Sequence, residues 1–231
     1  MKAFLLAAGN GTRLRPLTDT KPKCLLSVKG QPLLAIWLEL CRRSGITDIL
    51  LNVHAHAQLV REFVSQVQTG PRITVFEEPD LLGSGGTIAA NRRWVSSEAY
   101  FWVLYADVLT NGAFMPMLQF HQVHKPAATM GVYRVPDPKR CGIVTMNHER
   151  QITEFIEKPV NPSSNLAFSG VLIGTQAMLE AIPDSSPADL GRDVLPRLTG
   201  QMYAYEISDF LMDIGTMENY KQAQATWPGL S

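Results

Sequence analysis

The chain is poor in the features that mark several protein classes. Its 231 residues include only three cysteines, Cys24, Cys41 and Cys141. Their odd number and wide spacing give no disulfide framework and no metal-ligand pattern, which points to a reducing compartment, the cytoplasm. No charge of one sign is in excess, because 21 acidic side chains balance 21 basic ones. That balance excludes bulk nucleic-acid binding and makes any anion site a local one. No stretch approaches the ~20 apolar residues of a membrane span. The apolar run Ala3–Ala8 behind Lys2 is too short for a signal peptide, and Gly-Asn-Gly-Thr-Arg stands where a cleavage region would be. No composition shift or linker divides the chain, and it has no hexapeptide repeats.

What the chain does have is a cationic, glycine-bearing segment from Gly9 to Lys23, directly after that apolar run. Gly9 and Gly11 allow a close backbone approach to an anion, and successive N–H groups in such a loop form an anion-binding concavity. Arg13 and Lys23 add full positive charge for phosphate oxygens. Two familiar phosphate loops are excluded. The dinucleotide pattern G-x-G-x-x-G fails because Leu14 occupies the third glycine position, and no G-x-x-x-x-G-K-[ST] string occurs.

The remaining pattern alternates strand and helix. Ala3–Ala8, Asp48–Val53, Arg72–Phe76 and Ala99–Tyr105 read as strands; Leu33–Ser44, Ala57–Val67 and Gly86–Val95 read as helices. This rhythm predicts a Rossmann-like, mostly parallel sheet flanked by helices. The rhythm then changes, with β-rich segments at Ala127–Arg134, Gly142–Met146, Ile152–Ile156 and Phe168–Ile173, a helix within Ala188–Leu198 and another at Met217–Ala225. We read one domain over 1–231, with an α/β first half (about 1–110) and an added β-rich second half (about 111–231). His121 and His124 are expected on a solvated helix face. His54 and His56 have no companion ligands to make a metal site.

The string Gly9-Asn10-Gly11-Thr12-Arg13-Leu14-Arg15-Pro16-Leu17-Thr18, followed by Pro22-Lys23, resembles the signature of sugar-1-phosphate nucleotidyltransferases. The resemblance extends in motif order to about residue 225. It implies the nucleotide-diphospho-sugar transferase fold and a reaction between a nucleoside triphosphate and a sugar 1-phosphate that releases pyrophosphate. Ala8, Gly9, Gly11, Thr12 and Arg13 would line the nucleotide, with Arg13 and Lys23 stabilising its phosphates. Asp107, at the end of an apolar strand, and Asp213, in Asp213-Ile214-Gly215-Thr216, would hold Mg²⁺; a helix N-cap is the competing reading of Asp213. Glu157-Lys158-Pro159 would take the sugar hydroxyls and phosphate, with Gly142, Phe168 and Ser169 as neighbouring walls. Relatives that continue into a β-helix carry hexapeptide repeats, which this chain does not.

Base and ribose are assigned to Glu78-Pro79-Asp80-Leu81-Leu82-Gly83-Ser84-Gly85-Gly86-Thr87, with Glu78, Gly83, Ser84 and Gly85 as contacts. Carboxylates only accept hydrogen bonds, and guanine offers two adjacent donors, so Glu77 and Glu78 favour GTP. The best-supported pairing is GTP with a mannose- or heptose-type 1-phosphate. UTP-dependent uridylyl transfer, CTP-dependent transfer to phosphocholine and a non-catalytic nucleotide sensor stay open, as does assembly into a homo-oligomer.

Overall fold

The computed structural model describes residues 1–230. In chain order the strands are β1 (Lys2–Leu6), β2 (Ser27–Val28), β3 (Gln31–Pro32), β4 (Asp48–Val53), β5 (Arg72–Glu77), β6 (Phe101–Tyr105) and β7 (Val108–Thr110). They continue as β8 (Ala128–Arg134), β9 (Gly142–Met146), β10 (Ile152–Glu157), β11 (Leu166–Gly174), β12 (Met202–Glu206) and β13 (Leu211–Asp213). The α-helices are α1 (Leu33–Arg43), α2 (Ala57–Ser65), α3 (Gly83–Ala90), α4 (Phe114–His124), α5 (Gln176–Ala181) and α6 (Met217–Thr226). This is the α/β fold that the sequence predicts, with its parallel strands first and its added strands after them.

Two compact units are present. The first takes Met1–Leu81, Leu104–Ala113 and the chain from Asp209; the second takes Leu82–Val103 and Phe114–Ser208. The boundaries therefore differ from a simple cut near residue 110. The glycine segment at Gly83 lies in the second unit, and Asp213 lies in the first.

In the first unit, β1, β4 and β5 pair in parallel, with Phe4 opposite Leu50 and Leu50 opposite Thr74. Ala3, Phe4 and Leu5 are fully buried, as expected of a parallel strand covered on both faces. Helix α1 buries seven of its eleven residues, and Gly45, at φ 69°, ends the turn that follows it in the left-handed conformation that glycine tolerates best. Trp37 of α1 donates its indole N–H to the Val108 carbonyl at 2.9 Å, so this helix braces β7 from beneath.

In the second unit the strand order is β10-β9-β11-β8-β12. All pairs are antiparallel except β12 against β8. The segment Ala188–Leu198, expected to contain a helix, holds a single π-helical turn, Leu190–Val194, followed by a short 3₁₀ turn, Leu195–Leu198.

His121 departs from its expected solvated position. It is 3% exposed, its Nδ1 lies 2.8 Å from Thr129 Oγ1, and its ring meets Tyr100 edge-on at 5.6 Å. Burial pushes the imidazole down to about 4. The folded state then binds fewer protons than the unfolded state between that value and the ordinary one, so stability rises with pH across the window. We expect about 2 kcal/mol to be lost between pH 7 and pH 5. Urea midpoints across that range check this, and His121→Gln is expected to remove most of the slope.

Candidate active site

In the first unit, β1 ends at Leu6 and the chain turns into the glycine loop. Ala7 N–H donates to Asn52 Oδ1 at 2.7 Å, and Asn52 Nδ2 donates to Glu78 Oε1 at 2.8 Å, so the loop entrance is tied to the ends of β4 and β5. Gly11 is left-handed at φ 62°, its carbonyl accepts from Leu14 N–H and the Thr18 hydroxyl, and a Cβ there would lie 2.9 Å from Thr18 Cγ2. Leu14 is fully buried. The side chain that replaces a third glycine is thus an anchor that pins the loop from below, while Gly9, Asn10, Thr12 and Arg13 remain exposed. A Cβ on Gly9 would meet no protein atom, so protein packing does not require glycine there.

The charged groups of this unit converge. Lys23 Nζ donates to Asp107 Oδ2 at 2.8 Å, with the lysine side chain only 11% exposed. Asp107 stands between β6 and β7. Strand β13 pairs antiparallel with β7 and sets Asp213 opposite Val108, while Ile214 N–H donates to the Asp107 carbonyl at 3.1 Å. Register alone therefore brings together two aspartates more than a hundred residues apart. Asp213 Oδ1 accepts from Gly215 N–H at 2.5 Å. A Cβ on Gly215 would lie 2.8 Å from Arg13 Nη2, 2.8 Å from Asp213 Oδ1 and 3.3 Å from Lys23 Nζ. Burial, then the negative charge of Asp107, raises the Asp213 carboxyl above its ordinary value; Lys23, the Gly215 N–H and Arg13 oppose that shift. The cap of α6 is Thr216, whose hydroxyl accepts from Asn219 N–H at 3.2 Å, so Asp213 is not the capping residue.

In the second unit, Glu157 ends β10 directly across from Gly142 of β9. Its carboxylate, 30% exposed, lies 3.3 Å from Lys158 Nζ. A Cβ on Gly142 would lie 2.8 Å from Glu157 Oε2, and one on Gly191 would lie 2.7 Å from the same atom. Lys158 is left-handed at φ 50° and donates its N–H to the Cys141 carbonyl at 3.0 Å. A non-glycine residue in that region is uncommon and strained, and such residues cluster at functional sites.

The chain from residue 2 to residue 228 matches the family model described as nucleotidyl transferase. The chain belongs to the nucleotidyl transferase family. It is 35% identical to the mannose-1-phosphate guanylyltransferase catalytic subunit beta of Danio rerio, and 33% identical to mannose-1-phosphate guanyltransferase beta-A of Xenopus laevis. Each match runs over 226 residues, covering 95% of this chain and 62% of the relative. The chain thus spans less than two thirds of the length of those relatives. Among solved structures, a Bacillus anthracis protein titled as a glucose-1-phosphate thymidylyltransferase superposes with a TM-score of 0.88 at 23% identity. It covers 100% of this chain and 96% of that one, a likeness of fold.

Several residues expected to touch ligand have protein partners in this family member. Glu78 is 2% exposed, bonded to Asn52 and joined to His54 through its own carbonyl, while Glu77 is paired with Arg61 at 2.5 Å. The glycines of the base segment admit protein backbone. A Cβ on Gly83 would lie 2.4 Å from the Ala188 carbonyl oxygen, and that oxygen accepts from both Gly85 and Gly86 N–H. Ser84 donates to Asp189 Oδ2 at 2.9 Å and accepts from Leu190 N–H at 2.8 Å. Ser169 is 1% exposed, accepts from Val171 N–H and would meet a Cβ on Gly131 at 2.5 Å, so it faces the sheet interior. Phe168 is half-buried and Ala8 is buried at 7%. Two residues not singled out from sequence are Gly191 and Asn52. Gly191 lies in an ordinary Leu-Gly-Arg string, and Asn52 stands near the end of a strand, where only the polar break after the apolar run Ile49–Leu51 hints at a role.

Proposed function

We propose that the protein transfers a nucleoside monophosphate from a nucleoside triphosphate to a sugar 1-phosphate. The observation that carries this reading is the packing of Arg13, Lys23 and Asp213 around Gly215, with Asp107 on Lys23. Two cations and two carboxylates in one place suit a triphosphate and a divalent cation together. The open space at Gly9, within an exposed loop, suits phosphate oxygens.

In the proposed reaction an oxygen of the sugar phosphate forms a bond to the α-phosphorus. The bond from that phosphorus to the bridging oxygen of the β-phosphate breaks, and pyrophosphate leaves with the electron pair. The attacking oxygen is already anionic at neutral pH, so no general base is needed. Arg13 offsets charge on the departing phosphates, and Lys23 holds the phosphate oxygens near the reacting centre. Glu157 accepts hydrogen bonds from sugar hydroxyls, and the Lys158 ammonium holds the sugar's phosphate. The work is chiefly positioning and electrostatics.

Asp107 and Asp213 are the residues that would hold Mg²⁺. Among the described residues no three His, Cys, Asp or Glu side chains cluster to bind a metal alone. One or two carboxylates plus substrate phosphates is the usual magnesium arrangement, so the pair fits. When bound, the ion supplies Lewis-acid polarisation of phosphoryl oxygens and a template for them.

GTP with a mannose- or heptose-type 1-phosphate is the pairing we favour. Its support is the identity to two mannose-1-phosphate guanylyltransferases, since Glu77 and Glu78 are engaged within the protein. A cytoplasmic location is supported by three cysteines without disulfides. Among the described residues no helix is long and apolar enough to cross a membrane. The test is pyrophosphate release in Mg²⁺ across four nucleoside triphosphates and a panel of sugar 1-phosphates. Release with GTP and mannose 1-phosphate is the expected result; no release with any pair would overturn the reading.

A further inference from the structure

Gly191 is glycine for a reason that backbone conformation does not supply. Its φ lies outside the left-handed region. What would obstruct a side chain there is Glu157, whose Oε2 would lie 2.7 Å and Cδ 3.2 Å from a Cβ at 191, with Asp189 Oδ1 next at 3.3 Å. No backbone atom is among these three nearest neighbours. The missing methyl group therefore leaves room for one functional carboxylate.

The turn that carries Gly191 is held firmly. Asp189 Oδ1 accepts from Arg192 N–H at 3.0 Å and Oδ2 accepts from the Ser84 hydroxyl at 2.9 Å; Asp193 Oδ2 accepts from Asp189 N–H at 2.7 Å. Ser84 in turn accepts from Leu190 N–H at 2.8 Å. These bonds bracket the π-turn Leu190–Val194 on both sides of Gly191. A π-helical segment of this length is rare. The turn cannot easily retreat from an added methyl group, so the carboxylate would have to move.

We infer that Gly191 is a positioning residue of the acceptor site: its bare backbone sets where the Glu157 carboxylate stands and so governs binding of the sugar 1-phosphate. The inference rests on the nucleotidyl-transfer reading and on the role that reading gives Glu157. Gly142 flanks the same oxygen, but a Cβ there would also lie 2.5 Å from Phe155 Cζ, a buried ring, so its replacement would disturb packing as well. Gly191 is the cleaner probe. The clash falls on the far end of a flexible side chain, which can swing aside without unfolding the protein, but only by leaving its place in the site.

The experiment compares wild type, Gly191→Ala, Glu157→Asp and the double variant, with GTP and mannose 1-phosphate as substrates and thermal unfolding alongside. Gly191→Ala is expected to raise the acceptor KM about 10-fold or more, the scale of a disturbed charge-assisted hydrogen bond, with the nucleotide KM changed less than about 2-fold. Its melting temperature should stay near wild type. The shorter aspartate withdraws from the added methyl group, so Glu157→Asp should cost less in the Gly191→Ala background than in wild type. That non-additivity is a signature a purely structural role would not give. Equal rises in both KM values, no change in the acceptor KM, additive effects, or a Gly191→Ala chain that fails to fold would each overturn the inference alone. A wild-type protein that releases no pyrophosphate with any sugar 1-phosphate would overturn the transfer reading, and this inference with it.

Discussion

Asp107→Asn is expected to lower pyrophosphate release by roughly 10³-fold, the upper scale for losing one preorganised electrostatic contact at a phosphoryl or acyl centre. The substitution is nearly isosteric, so its effect isolates charge. The amide oxygen of an asparagine can still accept from Lys23, now 2.8 Å from Asp107 Oδ2, and the β6-to-β7 connection keeps its backbone bond from Ile214. What disappears is the negative charge that balances Lys23 and half of the carboxylate pair proposed for Mg²⁺. Adding magnesium should recover only part of the activity, because one carboxylate remains. A magnesium titration of initial rates with the variant checks this, and turnover near wild type would remove Asp107 from the reaction.

Asp213→Asn should separate stability from activity. Asp213 is costly to the ligand-free fold, because burial and the charge of Asp107 both disfavour its ionised form. A carboxyl raised in the folded state leaves stability intact below its unfolded value and lowers it as pH rises toward the folded value. Replacing it by asparagine removes that penalty, while the amide oxygen can still accept from Gly215 N–H. The metal-free variant should therefore melt above metal-free wild type at neutral pH, and the gap should close in acid. Turnover should nevertheless fall by about 10²–10³-fold. Paired melting curves and rate measurements test both halves. A destabilised variant would show that the raised carboxyl is not a cost to the fold.

The chemistry is more legible in the sequence than the placement. The segment Gly9–Lys23 declares itself because its function needs local residue types at local spacing, and even Leu14 stands out as a departure from the dinucleotide pattern. Asp107 is visible as a charge at the end of a buried strand. Asp213 is visible only by resemblance, since the β7–β13 pairing that brings it to Asp107 joins two three-residue strands with no periodicity to read. The glycines at 83–86 suggest a base on the physical ground that glycine permits close approach. The approach is real, but the backbone at Ala188 makes it. Likewise Ser169 is a pocket wall only by resemblance, and packing against Gly131 of β8 buries it. Local pattern predicts that something must come near; only long-range packing decides what.

The division of the first unit among three separated stretches of chain has a consequence for synthesis on the ribosome. The phosphate loop and Lys23 emerge before Asp107, and Asp213 and the helix α6 follow only after the whole second unit has been made. That helix closes the unit by hand-holds on the early chain: Tyr220 and Gln224 both donate to the Ser27 carbonyl, and Lys29 donates to the Trp227 carbonyl. A nascent chain that stops before Asp209 carries the loop, Lys23 and Asp107 without the carboxylate or the clasp that complete them. The order of translation thus delays assembly of the charged centre until the stretch from Asp209 onward has been made.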